Sequence, residues 1–282
     1  MKKNLVFFFV FAFVFLLGLA AEPTWGAQAN EIPRPEYPRP QFVRAQWLNL
    51  NGKWTYTFDF GDSGKERGFA SSTGFEAQIL IPFCPESPLS GVNHKDFINA
   101  IWYQRSFTIP ADWEGKNVIL HFGAVDYESE AFIDGKSVGR HYGGTSSFKF
   151  DITPYFKAGQ TQSLVVFARD DTRSGLQPSG KQCPDYRSRG CHYTRTTGIW
   201  QTVWMEPVSK YGLESCHVIA DLDQKRFSIQ PRFYALKAGL IFRATIKDGQ
   251  KKLSESKATA SNNLICLLPL KKPVLWSPEN PF

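Results

Sequence analysis

The groups in this chain with chemistry to offer are carboxylates set close together in pairs. Glu128 and Glu130 stand two apart. In a strand that spacing puts both on one face, about 6.6–6.8 Å apart along the backbone. Two carboxyls at that distance are near the lower limit for activating a water that attacks a bond held between them. The same pair on an exposed strand is simply a solvated face, and that is the expectation here. Asp170 and Asp171 follow the apolar run 164–168 after a single arginine. They stand where a buried strand gives way to a loop, a usual place for groups that contact a ligand. The competing role for either is to stabilise the turn by an Asx interaction. Arg195 can hydrogen-bond a hydroxyl or carboxylate of a ligand, or pair with Asp170 or Asp171, and both readings stand at this point.

Five cysteines and five histidines are scattered through the chain. Cys84, Cys216 and Cys266 show no CxxC spacing, so there is no zinc signature and no metal or other cofactor is expected. Cys183 and Cys191 bound one short loop and are the candidate disulfide pair, and the odd count leaves at least one thiol free or intermolecular. His141, beside Gly143 and Gly144, reads as a packing residue rather than a base.

The elements that must position these groups are strands. The run 54–60 alternates aromatic and polar residues, which places Trp54, Tyr56, Phe58 and Phe60 on one buried face. Residues 77–81, 101–109 and 118–122 are further short apolar or alternating runs. Asp134-Gly135 between two strand-like runs is a hairpin turn signal. The continuous apolar run 164–168 suits a strand buried on both faces. A polar loop rich in Gly, Pro and Ser then occupies 172–197, and 200–206 reads as the returning strand. No long segment of this region holds a 3.6-residue apolar period, and many short strands with regular turns argue for a β-sandwich. From residue 209 the strand pattern restarts, as an immunoglobulin-like sandwich would.

Composition agrees. Hydrophobic residues make up 42% and charged residues 21% of the 282-residue chain, with 24 Phe and 8 Trp, which favours an ordinary globular all-β protein. Lys2 and Lys3, the apolar run 5–21 and the small-x-small sequence at 27–29 read as a signal peptide over 1–29. The chain is therefore expected to be exported, periplasmic or extracellular, with a membrane association only if the leader is retained. Residues 30–40 are a proline-rich linker. The net charge of +7 is not concentrated in one basic patch, and the stretch 181–195 has no interleaved aromatic pattern, so nucleic-acid binding is not expected.

Several strings then become recognisable in order. NLNGKW at 49–54, WYQRSFTIP at 102–110, VD at 125–126 followed by IDG, VG, H and GG up to 144, FKFDIT at 148–153, TTGIWQTVW at 196–204 and LWSPENP at 275–281 are similar to the successive motifs of the front part of glycoside hydrolase family 2. One departure is Asp134, where the family usually has Asn. The resemblance implies a sugar-binding jelly-roll β-sandwich over 41–207 and part of an immunoglobulin-like β-sandwich over 208–282. It also implies that the TIM barrel carrying the family's two catalytic glutamates is not among these residues. No catalytic residue is assigned, and the chain alone is expected to be inactive on glycosides.

For the site, the resemblance implies that Asp171, or Asp170 beside it, reaches a sugar at the barrel mouth. Asn93 and Asp96, in the loop before the Trp102 strand, can approach the same rim or form a polar surface loop. Trp54, Trp102, Trp200 and Trp204 can stack on sugars but read as core. The partner implied is a β-linked glycoside, with a homo-oligomer or the catalytic part of the same enzyme as protein partners. The rival reading is a stand-alone carbohydrate-binding module or scaffold without hydrolytic activity.

Overall fold

The computed structural model of the protein describes residues 32–281; the expected leader lies outside the described residues. A first group of strands comprises β1 (Leu48–Asn49), β2 (Gly52–Phe58), β3 (Ala77–Ile81), β4 (Ala100–Thr108), β5 (Asn117–Phe122), β6 (Val125–Asp126), β7 (Glu128–Ile133), β8 (Lys136–Tyr142), β9 (Phe148–Asp151), β10 (Thr161–Arg169), β11 (Gly198–Ile199) and β12 (Val203–Val208). A second group comprises β13 (Leu213–Asp221), β14 (Arg226–Phe233), β15 (Ile241–Asp248), β16 (Lys251–Thr259) and β17 (Cys266–Pro269). Every strand pair is antiparallel.

The first group forms a jelly-roll sandwich. One sheet runs in the order β3-β2-β4-β10-β7-β8, and the facing sheet runs β1-β12-β5-β9. Between them lies a core that includes Trp54, Tyr103, Leu120, Phe122, Val166 and Met205. Alternation explains which residues of β2 take part: Trp54 and Tyr56 point into that core and Phe58 packs partly against it. Phe60 does not follow, being 53% exposed. The strand stops at Phe58 because the Asp59 carboxylate captures Ser63 N, Gly64 N and Trp102 Nε1 and turns the chain.

β10 is buried on both faces, as its unbroken apolar run requires. Leu164, Val166 and Ala168 face the main core, whereas Val165 and Phe167 join Trp102, Phe132, Phe69 and Phe75 on the outer face. Segment 62–76 folds over that outer face as a cover. The β7–β8 hairpin turns at Asp134 (φ 47°) and Gly135 (φ 79°), the paired positive φ that an Asp-Gly type I′ turn supplies.

The second group packs β13-β14-β17 against β15-β16 around Phe242, Ala244, Cys266 and Leu268. It is an immunoglobulin-like arrangement with five strands where a full sandwich has about seven. The proline-rich segment is not a free spacer. Pro33 and Arg34 carbonyls accept from Asn51 and Asn49, and Tyr37, Arg39 and Arg44 converge on the fully buried Glu206 of β12. Arg44 also donates to the Leu213 carbonyl at 2.7 Å, and Lys149 meets Glu214 at 2.6 Å, so the same region fastens β13 to the first sandwich.

Candidate functional site

The strand-to-loop transition after β10 places Asp170 at one end of the jelly roll. Register brings two more acids there. β6 presents Asp126, held opposite Gly198 of β11, and the loop after β3 presents Glu86. All three are almost fully buried, at 6%, 7% and 4% exposure for Asp170, Asp126 and Glu86. Among the described residues none has a cationic partner; amides hold them instead. Gln177 Nε2 donates to Asp170 Oδ1 at 2.6 Å, Gln182 Nε2 donates to Asp126 Oδ2 at 3.0 Å, and Thr197 N donates to both Glu86 oxygens. Asp170 Oδ2 and Asp126 Oδ1 have no hydrogen-bond partner.

Burial without a counter-charge disfavours the ionised form. Burial, and then the Asp126 charge, push Asp170 up to about 7. Burial, and then Glu86, raise Asp126 to about 6, and burial raises Glu86 as well. The glycines of the VGxHxGG string are what allow this packing: a Cβ at Gly144 would stand 2.1 Å from Asp126 Oδ1. Trp200 Nε1 donates to the Gly144 carbonyl at 2.7 Å and fixes that backbone.

In front of Asp170 lies a cavity of about 220 Å³ lined by Asp62, Phe97, Asn99, Arg169, Asp171 and Arg173. Asp171 therefore shares the cavity but points into its own turn, where its Oδ1 accepts from Arg173 N. Asp170 is the inward-facing member of the pair. Arg195 makes no ion pair with either aspartate. Its guanidinium donates to the carbonyls of Cys183, Asp185 and Lys95 and stacks 4.3 Å over Phe97. It thereby pins loop 172–197 to loop 93–99, a positioning role. Asn93 (φ 53°) and Asp96 are exposed turn residues in that second loop, and Asp96 Oδ1 accepts from Phe97 N; neither lines the cavity. Among the described residues no group of His, Cys, Asp and Glu is arranged to hold a metal ion.

Two expectations are corrected. Glu128 and Glu130 are not a solvated face. Arg169 pairs with Glu128 at 2.7 Å, and Lys65 and Arg140 pair with Glu130 at 2.8 and 3.0 Å. Lys65 of the 62–76 cover, Arg140 of β8 and Arg169 of β10 supply the cations, which spacing alone does not reveal. Burial works against Glu130 ionisation, yet hydrogen bonds from Lys65, Ser137 and Arg140 prevail and lower its pKa, the wrong direction for a proton donor. Cys183 and Cys191 form no disulfide. Cys183 is buried and directs its thiol at the Arg187 carbonyl, while Cys191 is exposed beside His192. The cysteines bound a loop in sequence, but they face different environments in space.

The members of the acidic group that sequence reasoning did not single out are Glu86 and the buried role of Asp126. Asp126 lay within a recognised motif, whereas nothing in the string around Glu86 announces burial.

Residues 73–176 match the family profile described as "Glycosyl hydrolases family 2, sugar binding domain", a span that contains Glu86, Asp126 and Asp170. A β-galactosidase of Thermoanaerobacter pseudethanolicus is 26% identical over 174 residues, 62% of this chain and 22% of that protein. A β-glucuronidase of Bacteroides fragilis is 28% identical over 133 residues, 47% of this chain and 18% of that protein. The chain spans about a fifth of the length of these curated relatives. Among solved structures, Ruminococcus gnavus β-glucuronidase in complex with uronic isofagomine superposes with a TM-score of 0.69 at 18% identity, covering 86% of this chain and 40% of that one. At that identity the match speaks to the fold.

Proposed function

Because this chain carries the N-terminal sugar-binding domain of the family 2 glycoside hydrolases, we propose that it is the non-catalytic front part of an exported enzyme that hydrolyses O-glycosyl bonds. Its own contribution is to shape the sugar site from the Asp170 rim. The observation that carries this reading is the buried Asp170 carboxyl, which keeps an unfilled oxygen and lines an open cavity. That oxygen is itself shielded from solvent, so a sugar hydroxyl donates to it after a small shift of the rim, and a hydrogen bond to a charged acceptor contributes about 1.5–3 kcal/mol. The ligand class is a β-linked glycoside, with a galactoside or glucuronide suggested by the relatives. The leader-like residues 1–29 support export.

Among the described residues, neither Glu128 with Glu130 nor Asp126 is free to join a hydrolytic pair. Glu128 and Glu130 are bound up in ion pairs, and Asp126 is closed over by Gly144. Retaining or inverting hydrolysis therefore requires residues other than these.

The test is ligand-observed NMR of the chain with methyl β-galactoside and methyl β-glucuronide. Saturation transfer is expected for one of them and is expected to be lost in Asp170→Ala, with melting unchanged or improved. Equal transfer in wild type and Asp170→Ala would sink the assignment of Asp170. Turnover of nitrophenyl β-glycosides by the purified chain would sink the non-catalytic reading.

A further inference from the structure

A second cleft lies away from the acidic group and takes no part in the reading above. Its volume is about 680 Å³, and it is lined by Tyr56, Thr57, Phe58, Arg67, Phe69, Gly74, Phe75, Glu76 and Ala77. Its origin is a mismatch of strand lengths. β3 begins at Ala77 opposite Tyr56, while β2 runs on to Phe58. Beyond Tyr56 the β3 side of β2 therefore has no strand neighbour, and the 62–76 cover arches past the gap.

The cleft walls combine aromatic surface with polar groups of both kinds. Phe69 and Phe75 meet edge to face with centroids 5.5 Å apart. The Arg67 guanidinium lies 4.4 Å over the Phe69 ring; stacking holds its plane fixed while its N–H edges remain available. Glu76 adds an exposed carboxylate. Neither Arg67 nor Glu76 forms an ion pair among the described residues. Each is therefore free to bond a ligand.

We propose that this cleft is a second carbohydrate-binding site, which takes a unit of a neutral oligosaccharide against the Phe69–Phe75 wall, with Arg67 donating to and Glu76 accepting from its hydroxyls. A neutral sugar fits better than an ionic ligand because the two wall charges are opposite, so either sign of ligand would meet one like charge. A sugar offers an apolar C–H face to aromatic rings and hydroxyls that both donate and accept, which is what these walls complement. The volume falls within the roughly 300–1,000 Å³ of small-molecule sites. The cleft is on the same end of the sandwich as Asp170: Phe58 is opposite Ile101, which is opposite Ala168. Phe58 and Ala168, the latter two residues before Asp170, are two strand spacings or about 10 Å apart, and the sites beyond them lie further apart on that same end.

Gly74 provides a blocking variant. A Cβ there meets nothing within 4 Å, so Gly74→Trp fills the cleft rather than the core. Binding of cellotetraose and β-1,4-galactotetraose to the whole chain is to be measured by calorimetry for wild type, Gly74→Trp, Arg67→Ala and Asp170→Asn, with melting curves for each. The expected result is saturable wild-type binding of one tetraose, weakened at least tenfold by Gly74→Trp and by Arg67→Ala, and still saturable in Asp170→Asn. The inference is overturned if neither tetraose binds wild type up to about 10 mM, weaker than ordinary affinities. It is also overturned if the exposed-site variant Arg67→Ala melts like wild type and binds equally. Loss of tetraose binding in Asp170→Asn alone would mean a single site at the rim, overturning the second site while supporting the Asp170 reading. An undisturbed methyl glycoside signal in Asp170→Ala would sink that reading and leave the cleft standing.

Discussion

Replacing Asp170 by Asn is predicted to stabilise the protein, by an amount that grows as pH rises from about 4 to about 7 and is then constant. The side chain is nearly isosteric, and the amide oxygen keeps the bond from Gln177 Nε2 to Oδ1. What changes is the charge. The folded protein raises the Asp170 pKa from 3.8 to about 7, through burial and then the Asp126 charge. Between those values the folded state binds a proton that the unfolded state has released. Stability contributed by this group is therefore fully present below about pH 4 and is lost as pH rises through about 7. At about 1.4 kcal/mol per pKa unit, the shift corresponds to about 4 kcal/mol at mildly alkaline pH, an upper value because Asp126 and Asp170 titrate as a pair. Asn escapes that penalty. Urea unfolding followed by tryptophan fluorescence is expected to show Asp170→Asn about 2–4 kcal/mol more stable than wild type near pH 8. Near pH 4.5 the two should lie within about 1 kcal/mol of each other. A variant destabilised equally at both pH values, or one with the wild-type pH slope, would refute the reasoning and make Asp170 an ordinary ionised turn residue.

Glu206→Gln should move stability the other way. Burial opposes ionisation of Glu206, but the adjacent His121, hydrogen bonds from Tyr37 and Trp204 and the charges around it hold its pKa far below the usual carboxylate range, so its contribution is present above about pH 4.5 and lost as the pH falls. Leaving Arg39 and Arg44 without their partner is expected to cost about 3–5 kcal/mol at neutral pH, read by the same urea titration, with little loss counting against the network. The cysteines give a third outcome: native protein should release one fast-reacting thiol, Cys191, to a disulfide-exchange reagent, with Cys183 reacting only on unfolding. A reductant should leave the melting temperature unchanged, and a downward shift on reduction would restore the disulfide.

How much of this was legible in the sequence depends on whether the cause was local. The alternation of β2, the Asp134-Gly135 turn and the two-faced burial of β10 all appear as written, because each is set by neighbours within a few residues. Phe60 breaks its alternation because the Asp59 side chain captures two amides and an indole, and nothing in a period-two pattern carries that. The proline-rich segment reads as a spacer, yet Glu206, more than 160 residues away in the chain, draws it down. At the site, Asp170 was legible as a strand-to-loop aspartate. Which of the two adjacent aspartates faces inward was not, because that depends on Gln177 and on where β10 ends. Glu86 was invisible for the same reason: its burial is created by Thr197, 111 residues on.

The acids of the first sandwich divide by what their surroundings do to them. Glu206 has Arg39 and Arg44, Glu130 has Lys65 and Arg140, and Asp59 has an indole and two amides; in all three the pKa is lowered despite burial. Glu86, Asp126 and Asp170 have only amides, and all three are raised. Exposed area is alike in the two groups. The raised acids, however, are the more strongly desolvated and have no cation beside them among the described residues, whereas each lowered acid, Asp59 with the Arg67 charge included, has one. Arg169 is the immediate neighbour of Asp170, yet it is directed to Glu128 and Asp62 instead, and Arg195 passes through the same region but spends its donors on carbonyls. Uncompensated carboxyls that each depress stability, gathered at one end of a sandwich whose other acids are neutralised, are what a binding site requires and a structural core does not. That division, rather than the presence of acidic residues as such, is the argument for placing the sugar at Asp170.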